Sequence, residues 1–245
     1  MIIFRSAGES HGKGLLVLIE NLPAGLEVEK EKIDLELARR QKGYGRGGRM
    51  AIETDSVEII AGVRWGKTTG APVAMLIKNR DFENWREAMS PEGCHEGAIG
   101  SLTEVRPGHA DLPGALKYGH RDARNILERS SARETASRVA AGAVAKALLK
   151  VFDIQIGSFV TSIGAAKLKW NAEEICGLGE KANESGLRIP DSGVEKEAVK
   201  LIDEAKKKGD TLGGTFVVFA EGVPVGLGSH VSHERRIDGQ IARAI

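Results

Sequence analysis

The sequence predicts an α+β protein, because strand-like and helix-like segments are both present but do not alternate strictly. Runs rich in β-branched residues and bounded by Gly or Pro predict strands at 15–20, 57–63, 73–78, 154–163 and 215–220. Apolar residues at helical spacing predict helices at 29–41, 132–151 and 194–208. Without regular strand–helix–strand alternation, a Rossmann or TIM-barrel layout is disfavoured and a mixed one is favoured.

Composition describes an ordinary globular chain with no global preference for polyanions. The 245 residues are 41% hydrophobic and 28% charged, with a formal net charge of +1. A near-zero net charge provides no overall attraction to nucleic acid or to an anionic membrane, so neither is an expected partner. Aromatic residues make up only 4% of the chain, which argues against a surface that stacks bases. Any anion must therefore be bound by a local cluster of cations.

Cysteine usage and the N-terminal segment predict a cytoplasmic location. Cys94 and Cys176 share no close spacing, as is usual in a reducing compartment. The first residues lack the features of a secretory signal, and no apolar run is long enough to span a bilayer. His230 and His233 are not accompanied by a third ligand of suitable spacing, so no metal site is predicted.

The last ten residues have the pattern of an amphipathic helix. Ile237, Ile241 and Ile245 recur four apart on one face, and no Gly, Asn or Pro ends the pattern. Two interpretations are equally open, an element interrupted in mid-course and a frayed terminal helix.

The first local motif is Gly8-Glu9-Ser10-His11-Gly12. It matches the text of a hydrolase nucleophile elbow, G-x-S-x-G, but that elbow needs a core strand before it and a helix after it. Seven residues precede the motif and a predicted strand follows it, so the hydrolase interpretation is rejected. Two interpretations remain, a tight loop that presents His11 and Ser10 for proton transfer, and a surface turn with an incidental histidine.

The second motif is a basic, glycine-rich segment over residues 39–49 that contains Arg39, Arg40, Arg46 and Arg49. Guanidinium groups bind phosphate and carboxylate because they donate bidentately and remain charged. Two alternatives stay open. Residues 42–45 imitate the start of an RNA-binding RNP1 strand, although the aromatic and apolar residues that should follow are absent. The segment is also compatible with a solvated basic loop.

The third motif, Arg106-Pro107-Gly108-His109-Ala110-Asp111, places an imidazole on a stiff turn with a carboxylate two residues away. Proline restricts the backbone and glycine frees it, so His109 has a defined position. A lone loop histidine is more often structural than catalytic, and this motif carries no assignment by itself.

The fourth motif, residues 129–134, opens the longest predicted helix. Ser131 and Glu134 have the spacing of a capping box, which predicts a helix start at Ser131. Unpaired N–H groups and the positive dipole end attract anions to a helix start. With Arg129 and Arg133 added, this is the strongest predicted site for a phosphate or a flavin anion.

These four motifs, in this order, resemble the chorismate synthase family, most densely over residues 128–144, and the resemblance extends to residues 226–230. The resemblance implies a β-α-β sandwich fold, a homotetramer and a cytoplasmic enzyme of aromatic amino-acid biosynthesis. The implied reaction is the anti-1,4-elimination of phosphate from 5-enolpyruvylshikimate 3-phosphate, giving chorismate at the last common step of the shikimate pathway. It requires reduced FMN without net redox change, and NADPH enters only as an indirect reductant.

The resemblance also implies roles for individual residues. His11 matches the acid that protonates the departing phosphate, and His109 matches the histidine that protonates or stabilises reduced flavin. Ser10 and Ser131 match serines proposed to relay a proton. The implied flavin-binding residues are Arg40, Arg46, Arg129, Ser130, Ser131 and Arg133. The implied substrate-binding residues are Arg39, Arg46, Arg49 and Arg133.

One departure from the family concerns its C-terminal part, which carries an Arg-x-Asp motif and further flavin contacts in family members and which is not matched in these 245 residues. We therefore expect residues 1–245 to form a single, truncated domain that binds FMN weakly and has little or no turnover. Two other hypotheses stay open, an Arg/Gly-rich RNA-binding module and a catalytically silent fragment that assembles with partner chains.

Overall fold

A computed structural model describes residues 1–45 and 54–245. Arg46 and Arg49, two of the predicted anion-binding residues, lie outside the described residues. The chain divides into two compact units, Met1–Leu148 and Leu149–Ile245. In the described part of the chain, no helix is both long and apolar enough to cross a membrane.

The first unit is built on a four-stranded antiparallel sheet of β1 (Ile3–Ala7), β2 (Gly14–Glu20), β3 (Val57–Ala61) and β6 (Val73–Lys78). The strand order is β1-β2-β6-β3. In the sequence between β3 and β6, β4 (Val63–Arg64) and β5 (Lys67–Thr68) form a separate two-stranded ribbon. Alternate residues of β2 and β6 are buried, which gives the sheet one apolar face.

Two helices supply the apolar residues that pack with this face. They are α1 (Lys30–Gln41), which buries Ile33 and Leu37, and the helix Thr135–Lys150, which we label α4. The buried positions of α4 are small and recur at helical spacing, so the helix can approach its neighbours closely. Helix and strand residues form one core: Leu15, Val17, Ile19, Val57, Val73, Met75 and Ile77 with Ile33, Leu37, Ala136, Ala140 and Val144.

The segment between β6 and α4 consists of short helices and turns. It contains 3₁₀ turns at Arg80–Asn84 and Gly93–His95, the helices α2 (Asp111–Tyr118) and α3 (Arg124–Leu127), and a 3₁₀ turn at Ala132–Glu134 that leads into α4. Most of the residues that surround His11 come from this segment.

The second unit contains a three-stranded antiparallel sheet in the order β8-β7-β9, with β7 (Gln155–Ile163), β8 (Ala166–Lys167) and β9 (Gly214–Glu221). Its helices are α5 (Ile175–Lys181), α6 (Ser192–Lys208) and α7 (Ile237–Ala244). A small core of Ala166, Ile189 and Ala198 joins α6 to the sheet. Asp191 caps α6 by accepting from the backbone N–H groups of Gly193 and Val194.

The structure confirms the α+β class and each predicted strand and helix to within a few residues. The strand predicted over 57–63 is interrupted, because a bulge follows Ile59 and Gly62 has a φ of +84°. Strand β1 and helices α2 and α5 were not predicted. Helix α2 contains Pro113 and Gly114, which mask a helical pattern in the sequence.

Gly8 allows the turn that leads from β1 into the loop carrying His11. Its φ is +111°, and a Cβ atom would lie 2.3 Å from the carbonyl oxygen of Gly14. We expect Gly8→Ala to lower the free energy of unfolding by about 3 kcal/mol, since overpacking costs about 1–3 kcal/mol and a strained backbone about 1–3 kcal/mol. Urea unfolding measures the loss.

Gly25 provides the matched control, because its φ is +83° and no atom lies within 4 Å of its added Cβ. Gly25→Ala should cost only the backbone strain, about 1–2 kcal/mol. Equal losses for the two variants would contradict the close approach at Gly8.

Candidate active site

The imidazole of His11 is held among acidic and aromatic side chains that come from the segment after β6. Its Nδ1 atom lies 2.8 and 2.9 Å from the two carboxylate oxygens of Glu128, and its backbone N–H donates to the same carboxylate at 2.8 Å. On the other side of the ring, Nε2 lies 3.8 Å from a carboxylate oxygen of Asp81. The ring stacks on Trp85 with the centroids 4.2 Å apart.

Hydrogen bonds hold the loop between β1 and β2 at several backbone positions, which fixes the position of the His11 backbone. The backbone N–H of Ser10 donates to the carbonyl of Glu128 at 2.9 Å, and Ser10 is buried. The side-chain amide of Asn79 donates to the carbonyls of Glu9 and Gly12 at 3.0 and 2.8 Å. The loop is therefore anchored both to the end of β6 and to the residue that follows α3.

Glu128 is the electrostatic centre of this arrangement. The residue is 2% exposed, so its carboxylate requires hydrogen bonds and a positive or polarised partner. When Nδ1–H donates to Glu128, the exchangeable position of the ring is Nε2, which faces Asp81. Such a histidine can give up or take a proton at Nε2 while Glu128 keeps the ring in place.

A second network surrounds Asp55, whose side chain is fully buried. The guanidinium of Arg133 lies 2.5 Å from one Asp55 oxygen, and that of Arg40 lies 3.4 Å from the other. Arg133 also donates to the amide oxygen of Asn79 at 2.9 Å, and Arg40 donates to the Thr135 hydroxyl at 2.9 Å. In this structure, the predicted anion-binding residues Arg40 and Arg133 connect α1 to the start of α4.

Arg129 ties the start of the α4 region to β1 and the loop that follows it. Its guanidinium donates to the carbonyl of Ser6 at 3.1 Å, to the hydroxyl of Ser6 at 2.8 Å and to the carbonyl of Gly8 at 3.2 Å. These bonds use the two terminal nitrogens. Among the described residues its Nε–H has no hydrogen-bond acceptor, so this donor can serve an anion.

The hydroxyls of Ser130 and Ser131 make local bonds. Ser130 donates to the carbonyl of Ile126 at 2.8 Å, and Ser131 accepts from the backbone N–H of Arg133 at 3.3 Å. Ser131 is the N-cap, as predicted, but the predicted reciprocal capping box is wrong. The carboxylate of Glu134 instead accepts from Ser6 and from Arg138, because β1 and the next helical turn bring stronger donors within reach.

His109 lies on a turn that is closed by an ion pair. Arg106 donates to Asp111 through its backbone N–H at 3.0 Å and through two guanidinium nitrogens at 2.8 Å each, and the Asp111 side chain is fully buried. His109 itself is exposed, and its backbone N–H donates to the carbonyl of Arg106 at 3.3 Å. The hydrogen bonds from Arg106 hold the pKa of Asp111 at about 2.

Arg106 is also influenced by the charge of Glu128, the carboxylate that holds His11. The pKa of Arg106 is raised, chiefly by its hydrogen bonds to Asp111 and to a smaller extent by the negative charge of Glu128. Hydrogen bonds and ion pairs connect segments of three motifs in the first unit: Ser10 and His11, Arg40, and Arg129 with Arg133. The Arg106–Asp111 turn is held by its own contacts, and the structure shows no contact between His109 and the other three motifs in the described residues. Arg39 is paired with Glu36 at 2.7 Å on the partly exposed side of α1.

Sequence reasoning missed the residues that hold His11 and the arginines, namely Asp55, Asn79, Asp81, Trp85 and Glu128. Glu128 and His11 are 117 positions apart, so no local spacing indicates the pair. Asn79 and Asp81 follow directly after a buried strand, and polar residues at a strand end are the one signal that points to them.

The fold and this cluster define a class of protein: an α+β protein in which an imidazole lies between two carboxylates, beside arginines that are fixed by buried partners. A family model described as chorismate synthase matches residues 2–245. The chain belongs to the chorismate synthase family, as the sequence resemblance predicted.

Individual relatives agree with this placement. The chain is 54% identical over 250 residues to a chorismate synthase of Aquifex aeolicus (strain VF5), covering 99% of this chain and 63% of that relative. It is 55% identical over 247 residues to one of Geotalea daltonii, covering all of this chain and 62% of the relative. The chain thus spans somewhat less than two thirds of the length of these curated relatives.

A solved structure supports the fold assignment. A crystal structure of chorismate synthase superposes with a TM-score of 0.81 at 47% sequence identity, over 99% of this chain and 65% of that one. The predicted fold type is confirmed, and these comparisons do not favour the RNA-binding alternative.

The Arg106–Asp111 pair yields a prediction about acid stability. Asp111 has a folded pKa of about 2 against an ordinary value of 3.8, so its contribution is complete above pH 4 and is lost as the pH falls towards 2. Arg106→Gln should remove the partner of a buried carboxylate and lower the free energy of unfolding near pH 7 by about 1–2 kcal/mol, less than for a fully buried pair because solvent screens the partly exposed Arg106.

Urea unfolding between pH 7 and pH 2 tests this expectation. The difference between wild type and Arg106→Gln should shrink as the pH falls from 4 to 2, because Asp111 becomes neutral in both proteins. Arg64→Gln, which changes an exposed arginine of β4, serves as the control. A wild-type-to-variant difference that is constant with pH would refute the role given to Asp111.

Proposed function

We propose that this chain forms the phosphate-binding and general-acid part of a chorismate synthase. The proposed reaction is the anti-1,4-elimination of phosphate from 5-enolpyruvylshikimate 3-phosphate, a carbon–oxygen lyase reaction that requires reduced FMN. The observation that carries the proposal is the His11 imidazole, held at Nδ1 by the buried Glu128 in a chain of this family. The family resemblance makes a homotetramer the proposed assembly.

His11 is proposed as the acid that assists the departing phosphate. Cleavage of the C–O bond develops negative charge on the leaving oxygen, and a proton or hydrogen bond from Nε2 neutralises it. Asp81 places a second negative charge 3.8 Å from Nε2, on the side of the ring where the proton is transferred. Glu128 keeps Nδ1–H bonded throughout, so the ring does not have to reorient between the charged and neutral forms.

The substrate is a phosphate ester with two carboxylates, so its site needs several fixed cations. The described residues offer Arg129, whose Nε–H is not used by the neighbouring groups, and the arginines around Asp55. Arg39, Arg46, Arg49 and Arg133 are assigned to the substrate on the sequence motifs. With a net charge of only +1, this local concentration of guanidinium groups provides the attraction for a substrate with three anionic groups.

The donor set also suits a flavin nucleotide. Reduced FMN, when bound, supplies an electron-rich ring to the reaction without net redox change. Its phosphate and ring carbonyls call for N–H and O–H donors, which Arg129 and Ser131 offer at the start of α4. Ser130, Arg40, Arg46 and Arg133 are further contacts assigned on the sequence motifs. His109 and the proton-relay serines Ser10 and Ser131 are assigned to the flavin side, and NADPH to an indirect reducing role.

The proposal is tested by anaerobic incubation of the chain with reduced FMN and the substrate, with released phosphate measured under single-turnover conditions. Release should be slow, because residues 1–245 are expected to bind FMN weakly and to have little turnover, and phosphate should appear only when reduced FMN is present. His11→Asn should lower the rate by about 10²-fold or more, since general acid catalysis contributes about 10²–10⁴-fold. His109→Ala should also lower the rate strongly, because it removes the imidazole assigned to reduced flavin.

His120→Ala is the matched control, since His120 is an exposed histidine after α2 that has no assigned role, and its rate should equal that of wild type. Calorimetric titration with the substrate separates binding from chemistry, and His11→Asn should retain binding. A wild-type chain that neither binds the substrate nor releases phosphate would overturn the proposal, as would an unchanged rate in His11→Asn.

A further inference from the structure

A compact group of metal-ligating side chains lies in the segment between Trp85 and α2. The Glu92 carboxylate, the Cys94 thiol and a ring nitrogen of His95 each offer a ligand atom within 4.8 Å of the other two. The 3₁₀ turn Gly93–His95 produces this grouping, because it brings side chains that are adjacent in sequence to one side of the chain. The Cys94 sulfur lies 3.7 Å from a Glu92 oxygen.

Hydrogen bonds around Ser90 orient the group. The Ser90 hydroxyl accepts from the backbone N–H of Glu92 at 3.1 Å and lies 2.8 Å from Nδ1 of His95. A hydroxyl oxygen has two lone pairs, so it can accept from both. When Nδ1–H donates to Ser90, the lone pair of the ring is at Nε2, as in histidines whose outer nitrogen is fixed by a neighbouring acceptor while the other binds a metal.

The surroundings are strongly acidic. A cavity of about 590 Å³ adjoins the group, and its charged lining has one guanidinium, from Arg124, against the carboxyl groups of Glu9, Glu87, Glu92, Glu96, Asp122 and Glu128. In the described part of the chain, Glu87, Glu92 and Glu96 form no ion pair with a lysine or arginine. An excess of carboxylates in a concave surface lowers the local potential and attracts cations.

We propose that Glu92, Cys94 and His95 bind a Zn²⁺ ion, with water as the fourth ligand. Thiolate, imidazole and carboxylate together are a ligand set that zinc prefers, and three protein ligands with one solvent position is an established coordination pattern. Zinc bonds of about 2.0–2.3 Å bring ligand atoms to about 3.5 Å from one another. Glu92 and Cys94 are exposed and His95 is half-buried, so their side chains can close that gap by rotation.

The bound ion would act on the segment that also supplies Trp85. The backbone N–H of Met89 donates to the carbonyl of Trp85 at 2.8 Å, and Ser90, which orients His95, is the next residue. Trp85 stacks on His11. Metal binding would therefore restrict the same stretch of chain that covers one face of the His11 ring.

Titration of the reduced, metal-free chain with CoCl₂ tests the proposal, because Co²⁺ takes the same ligands and reports on them by absorption. One Co²⁺ per chain should bind with a thiolate-to-cobalt charge-transfer band in the near ultraviolet and with the intense visible bands of tetrahedral coordination. Zn²⁺ should displace it, as the order of affinities for divalent ions requires. Cys94→Ser should abolish the charge-transfer band.

Cys176→Ser is the matched control, since it removes the other cysteine, which lies in the second unit, and should leave the band intact. His95→Gln and Glu92→Gln should each weaken Zn²⁺ binding at least about tenfold, because even outer-shell changes at metal sites cost about 10–100-fold. His120→Gln should leave the affinity unchanged.

Absence of stoichiometric binding at micromolar metal would overturn the proposal, as would a charge-transfer band that survives in Cys94→Ser or disappears in Cys176→Ser. All of these measurements are made without substrate or flavin. Their outcome is therefore independent of the proposed lyase function.

Discussion

The first unit depends on one constraint, the burial of the Glu128 carboxylate against His11. A carboxylate that is 2% exposed is costly unless polar groups replace the water it has lost. The backbone N–H and Nδ1 of His11 provide these bonds, and the Glu128 carbonyl accepts from Ser10 in return. The result joins a loop near the N-terminus to the start of the α4 region, so forming the fold also positions the imidazole.

The arginine network follows the same physical logic. Asp55 is a buried anion between Arg40 and Arg133, and breaking such a pair leaves a charge that the interior cannot solvate. Asn79 links this network to the His11 loop, since its amide nitrogen donates to loop carbonyls and its oxygen accepts from Arg133. Arg40 and Arg133, which the sequence motifs suggest as ligand-binding residues, therefore also hold the region around Asp55 in its folded arrangement. Loss of one of them would alter both the fold and the chemistry.

Local patterns predicted the regular elements well. The strands β2, β6 and β7 and the helices α1 and α6 follow from periodicity and turn residues, and Ser131 was correctly placed as an N-cap because capping chemistry is local. The roles of Glu128, Asp81 and Trp85 could not be predicted in this way. Their partner, His11, is brought to them only by the tertiary fold, and an isolated Glu or Asp in the sequence has no mark of burial.

The same distinction explains the arginines. A guanidinium that binds a ligand and one that neutralises a buried carboxylate look alike in a sequence, because both require a charged fork near glycines and polar residues. The contacts of the two arginines differ: Arg133 is fixed on Asp55 and Asn79, whereas Arg129 retains a donor that no described residue accepts. Cys94 and His95 were not predicted from the sequence to bind a metal, and that proposal depends on the 3₁₀ turn that places their ligand atoms near Glu92.

The position of the proton on the His11 ring reports on the contact between Glu128 and Nδ1. Two-dimensional ¹H–¹⁵N spectroscopy of the ¹⁵N-labelled chain distinguishes a ring that carries its proton on Nδ1 from one that carries it only on Nε2. At neutral pH, Nδ1 of His11 should be protonated, with the proton shifted downfield by its bond to the Glu128 carboxylate, and the downfield shift should be smaller in Glu128→Gln, whose neutral amide oxygen is a weaker acceptor. A spectrum in which wild-type His11 is protonated on Nε2 alone would contradict the account.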